Sequence, residues 1–120
     1  MPDGFPVRAT RAEVTEHLIQ AVGGSAAVTK VYGEGVAVTR TSSGLYLLTW
    51  AQNPGTFVGW SYAFAATTHA DLDGFTAVRG VYNASAYTLA FSVYDATPTI
   101  ADLAALNWID IVCRFKGTAV

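Results

Sequence analysis

The amino-acid sequence predicts an all-β fold: an antiparallel β-sandwich of jelly-roll-like form, with an N-terminal arm and a short helix. Three observations carry this reading. Beyond Gly24 the chain consists of short runs rich in Val, Thr, Phe, Tyr and Trp. Within these runs, apolar and polar or bulky and small residues alternate with a period of two, as on a half-buried strand. Between them lie clusters of Gly, Asn, Pro and Ser that suit tight turns. On this basis residues 1–24 form the arm and helix, and residues 25–120 form the sandwich domain.

The arm, residues 1–9, contains two prolines and a glycine and reads as extended. Thr10-Arg11-Ala12-Glu13 matches a capping box, in which the Thr10 hydroxyl and the Glu13 carboxylate satisfy each other's backbone N–H. Val14, Leu18, Ala21 and Val22 share one helical face, and Gly23-Gly24 is a stop signal, so the spacing predicts a helix over 11–22. A helix this short needs a packing partner, either its own domain or a neighbouring subunit.

The strands follow in order. Gly35 to Thr41 alternates Val36, Val38 and Arg40 with Ala37 and Thr39, and Thr41-Ser42-Ser43-Gly44 turns the chain. Leu45 to Trp50 is apolar on both faces, and Gln52-Asn53-Pro54-Gly55 is the next turn. Thr56 to Ala66 sets a bulky row, Val58, Trp60, Tyr62 and Phe64, against a mostly small one of Phe57, Gly59, Ser61, Ala63 and Ala65. His69 to Gly74 is a polar loop. Phe75 to Tyr82 and Ala86 to Tyr94 form a hairpin across Asn83-Ala84-Ser85. Thr99 to Asp102 resembles a helix start, with one or two turns over Ile100 to Leu106. The last strand, Asn107 to Lys116, places Ile109, Ile111, Cys113 and Phe115 inward. The total is about six strands.

Charge narrows the function classes. Seven basic and nine acidic residues make up 13% of the 120, with a net charge of −2. Soluble domains carry roughly 25% charged residues. Disorder is excluded by the 52% hydrophobic content. The absence of a basic excess argues against nucleic acid as a partner. A single Cys excludes an intrachain disulfide framework. The deficit is local: no Asp, Glu, Lys or Arg occurs from Thr41 to Ala70 or from Gly80 to Tyr94. Turn residues interrupt both runs, so neither reads as a membrane-spanning helix. The first residues show no basic region followed by an apolar one, which leads to the expectation of no secretory signal and a cytoplasmic site of assembly.

No catalytic, cofactor or metal residue is assigned. His17 lacks a histidine at helical spacing and reads as a solvated helix residue. Asp71-Leu72-Asp73-Gly74 lacks the other acidic positions of a calcium loop. No serine sits in a nucleophile elbow. Cys113 falls at an inward strand position, where a thiol is an inert core residue. Asn83-Ala84-Ser85 is a glycosylation sequon that reads as a hairpin turn. Trp50, Trp60 and Trp108 suit packing or assembly better than a sugar platform, because few hydrogen-bonding side chains accompany them. A charge-poor, aromatic surface on so small a chain predicts cover by other subunits, in a homo-oligomer and most simply a trimer. The expected subunit or lattice contacts are Trp50, Val58, Trp60, Tyr62 and Phe64.

One segment resembles a known group. Gly33-Glu34-Gly35-Val36-Ala37-Val38-Thr39-Arg40-Thr41-Ser42-Ser43-Gly44-Leu45-Tyr46 is similar to the opening of small β-rich virion proteins of tailed bacteriophages. The strand Phe75 to Tyr82, the strand end Phe91-Ser92-Val93-Tyr94-Asp95 and Ala101-Asp102-Leu103 before the last strand extend the similarity over about residues 31–118. The resemblance implies a capsid decoration, cement or head-fibre-like protein on the virion surface, with the major capsid protein as partner. It implies neither enzyme activity nor a cofactor. The rival expectation is a β-sandwich binding module for a glycan or receptor, of the C1q/TNF-like jelly-roll kind.

Overall fold

The computed structural model describes residues 14–24, 27–66, 76–95, 99–103 and 107–117. Eight strands cover most of them: β1 (Val14–Gly24), β2 (Ala27–Tyr32), β3 (Val36–Ser42), β4 (Leu45–Trp50), β5 (Thr56–Ala66), β6 (Thr76–Asn83), β7 (Thr88–Tyr94) and β8 (Asn107–Lys116). They form two four-stranded sheets, ordered β2-β1-β8-β5 and β3-β4-β7-β6. Every strand pair is antiparallel. The first and last strands pair at the centre of one sheet (sheet A) and β4 and β7 at the centre of the other (sheet B), so the fold is the expected β-sandwich.

Alternation places the core. From sheet A, Ile19, Ala21, Ile109, Ile111, Cys113 and Phe115 point inward and are buried. They meet Tyr46, Leu48, Trp50, Leu89, Phe91 and Val93 of sheet B. Trp50 and Phe115 make an edge contact between the sheets at 5.1 Å, and Phe57 stacks on Tyr82 at 4.8 Å. Such offset and edge-on aromatic pairs add packing energy beyond burial alone. At one side the chain passes from sheet A to sheet B through Gly33 to Gly35. There the Lys30 ammonium donates to the carbonyls of Gly33 and Val36, both at 2.8 Å.

The helix expected over 11–22 is corrected. Val14 to Val22 pair residue by residue with Lys116 to Trp108 of β8, so this segment is a strand in the sheet interior. The helical grouping joined Ala21, which faces the core, to Val14, Leu18 and Val22. These three lie on the outer face of the sheet, opposite Ile19 and Ala21, which face the core. The capping box at Thr10 to Glu13 and the arm lie outside the described residues. The helical turns expected after Ile100 are also corrected as far as Leu103. Ile100 bridges to Tyr94 instead, and the chain to Leu103 is irregular. No helix occurs among the described residues. β2, which the sequence reading did not mark as a strand, is an edge strand exposed along most of its length.

Candidate functional site

Titratable side chains are scattered rather than gathered. The best-connected is Asp102, on the crossing from β7 to β8. Its Oδ1 accepts from Arg40 Nε at 2.9 Å and from the Gly44 N–H at 2.7 Å, and its Oδ2 accepts from Arg40 Nη2 at 3.0 Å. The Tyr46 hydroxyl reaches the same Oδ1 at 3.3 Å and accepts the Leu103 N–H at 2.9 Å. The Arg40 hydrogen bonds, followed by the Gly44 N–H, hold the Asp102 carboxyl below the usual range. Planar guanidinium and carboxylate groups meet here at two points, a geometry that fixes orientation as well as charge. The arrangement ties the β3–β4 hairpin to the segment before β8 and does structural work.

His17 is not the solvated helix residue expected from sequence. It sits on β1, half-buried, between Trp50 and Phe115, and its Nδ1 accepts the Trp50 indole N–H at 3.1 Å. Burial pushes its pKa down. That shift favours the neutral ring, which is the form able to accept this bond. A shallow cleft beside it is lined by His17, Glu34, Trp50, Gln52 and Asn53. Cys113 is fully buried, and desolvation pushes its thiol up to about 12, the environment of an inert thiol. No group of three or more His, Cys, Asp or Glu able to hold a metal is present among the described residues. His69 and Asp71 to Gly74 lie outside them. No described helix is long and apolar enough to cross a membrane. Asn83 is a turn residue: its Oδ1 accepts the N–H groups of Ser85 and Ala86.

The five expected contact residues do not share one surface. Trp50 is only 4% exposed and belongs to the core. A bulge between Phe57 and Gly59 shifts the register of β5. It turns Phe57 inward with Trp60 and leaves Val58 out of that row, 55% exposed. Trp60 lies over Gly80 of β6 and approaches Phe91, while Tyr62 and Phe64 continue the row along β5. Trp108 pairs across the strands with Val22 and Ala65 on the outer face of sheet A, so the three tryptophans build no common platform.

The exposed apolar residues instead occupy the two outer faces of the sandwich. On sheet A, Leu18, Val31, Tyr32 and Val112 line a groove crossed by polar pairs. Gln20 donates to Asp110 at 2.6 Å, and Arg114 pairs with Glu16 at 3.0 Å. On sheet B the cross-strand row Thr39, Leu47, Ala90 and Val81 runs over all four strands. Leu45 and Ile100 border it. Among the side chains described, this second face carries no charge; Arg79 takes the register position opposite Ser92 at its edge. Leu45, Leu47 and Val81 come from the two uncharged runs of the sequence. The contact residues expected from sequence lie elsewhere: Trp50 is on β4 but faces the core, and Val58, Trp60, Tyr62 and Phe64 are on β5 of the other sheet.

Fold and surfaces together define an eight-stranded antiparallel β-sandwich with apolar surface on both outer faces. In comparisons with known proteins the chain matches no family model, no curated protein and no solved structure.

Proposed function

We propose that this chain is a virion structural protein, a decoration or cement protein that binds the capsid lattice of a tailed bacteriophage as a homo-oligomer. The observation that carries the reading is the apolar surface on both outer faces of one thin sandwich. A protein that joins copies of itself and also grips a lattice needs two contact faces and little chemistry. The faces differ in the way this division of labour requires. The face of sheet B, whose described side chains carry no charge, suits a permanent contact, and the mixed face of sheet A, with its Glu16–Arg114 and Gln20–Asp110 pairs, suits a contact made on docking. Binding to the assembled shell in preference to free capsid subunits stabilises the shell by mass action. The resemblance of residues 31–118 to small phage virion proteins supplies the particular partner, the major capsid protein. Peptide mass spectrometry and cryo-EM of purified virions from a phage encoding this chain test the proposal. Density for the chain on the outer surface of the head is expected, and its absence from intact particles overturns the proposal.

A second reading is a sandwich module that binds a glycan or a receptor. The cleft at His17, Glu34, Gln52 and Asn53 favours it, since a carboxylate and two amides can satisfy sugar hydroxyls. It predicts glycan binding that Glu34→Gln and Asn53→Ala abolish while the oligomer persists.

A further inference from the structure

We propose that His17 and Trp50 form a pH-operated latch between the two sheets, closed while the imidazole is neutral and opened when it takes up a proton. The proposal is independent of the capsid reading. His17 stands on β1 of sheet A and Trp50 on β4 of sheet B, so their hydrogen bond crosses the sandwich. An indole N–H only donates, so the ring nitrogen that faces it at 3.1 Å has to offer a lone pair. An imidazolium has none. A proton on that nitrogen sets two N–H donors against each other, and Trp50, 4% exposed, loses the acceptor its N–H has in the closed form.

The surroundings set the same direction. His17 lies edge-on to Trp50 at 6.0 Å and to Phe115 at 5.2 Å, and both of those rings pack on Tyr82. This aromatic layer solvates a charge poorly, and burial holds His17 below its ordinary 6.5. Cys113 of β8, its register partner, and Tyr82 of β6 both have their pKa raised by burial and are neutral. Glu16 and Arg114 pair with each other on the opposite face of the sheet, and the Lys30 ammonium of β2 is turned to the carbonyls of Gly33 and Val36. Glu34, ahead of β3, lines the cleft that His17 and Trp50 border. Its carboxylate gives the charged ring a partner, so the cleft is where the opened ring turns. Acid therefore opens the latch and reshapes the cleft. The stability it contributes is full above pH 6.5 and is lost as pH falls from there through the lower folded value.

Proton and nitrogen NMR on the full chain tests the latch. A His69→Gln variant tells the two histidines apart, and Trp60→Phe and Trp108→Phe variants assign the Trp50 indole by elimination. His17 is expected to titrate with a midpoint below 6.5. The Trp50 N–H is expected to shift with the same midpoint and, on its acid side, to lose protection from exchange relative to free indole. His17→Asn sets a carbonyl oxygen near the place of Nδ1 and does not titrate, so its Trp50 N–H is expected to keep its position and protection throughout. Glu34→Gln is expected to lower the His17 midpoint further. A His17 midpoint at or above 6.5, a Trp50 N–H that ignores the His17 titration, or one that moves equally in His17→Asn overturns the latch. An unchanged midpoint in Glu34→Gln overturns the cleft as the place the ring turns to. If His17→Asn fails to fold, the wild-type titration decides by itself.

Discussion

Asp102 joins three parts of the chain through one carboxylate: Arg40 on β3, the Gly44 amide at the hairpin tip, and Tyr46 on β4. Removing it leaves the Gly44 N–H and the guanidinium without their acceptor, and hydrogen bonds to charged groups contribute roughly 1.5–3 kcal/mol each. Asp102→Ala is expected to destabilise the fold by about 2 kcal/mol in urea denaturation, toward the low end because the site is partly solvated. The pH dependence has a definite sign. The carboxyl pKa is lower in the folded chain than in the unfolded one. Its contribution is therefore complete above about pH 4, the unfolded carboxylate value, and is lost as pH falls through the lower folded value. Melting temperature in acid should fall more steeply for wild type than for Asp102→Asn; parallel curves would refute the assignment. Tyr82 is the opposite case. Its hydroxyl is buried and has no hydrogen-bond partner among the described residues, while its ring packs on Phe57, Trp50 and Phe115. Tyr82→Phe keeps the ring and removes the stranded hydroxyl, so a gain of about 1 kcal/mol is expected. A clear loss in thermal melting would show that the hydroxyl does have a partner in solution.

At the level of elements, strand positions were legible where alternation and turns agreed. Leu45 to Trp50, Thr56 to Ala66 and Asn107 to Lys116 coincide with β4, β5 and β8. β1 was misread because both of its faces mix apolar and polar residues: Glu16 and Gln20 share the outer face with Val14, Leu18 and Val22, and Thr15 and His17 share the inner one with Ile19 and Ala21. With Val14, Leu18 and Val22 outside and Ile19 and Ala21 inside, no period of two is visible, and a helical period fits by accident. The facing of β5 was misread for another reason. A bulge adds one residue to one strand and exchanges the faces on either side of it, and the composition of the segment does not mark where it falls. Gly80 reports how closely β5 and β6 approach. A Cβ there would fall on the indole ring of Trp60. Gly80→Ala is expected to cost about 1–3 kcal/mol by overpacking, measured by urea denaturation, and the combined Gly80→Ala, Trp60→Leu variant should recover part of that loss. An unchanged midpoint for Gly80→Ala would mean that the two edges stand further apart.

Across the whole molecule, the two sheets turn a composition into a direction. An assembled state that only the folded chain can enter is stabilised by mass action, so the melting temperature should rise with protein concentration in the micromolar range. A flat wild-type series would argue against any oligomer at these concentrations. The sequence by itself determined the β class, the turns and the scarcity of charge, because alternation, turn chemistry and composition are local properties of the chain. Tertiary structure alone decided that Val14–Gly24 is a central strand, that Trp50 is core, and that Leu47, Ala90 and Val81 form one surface. Those facts depend on which strands pair, and pairing is settled by the joint burial of both sheets, a property of no single segment.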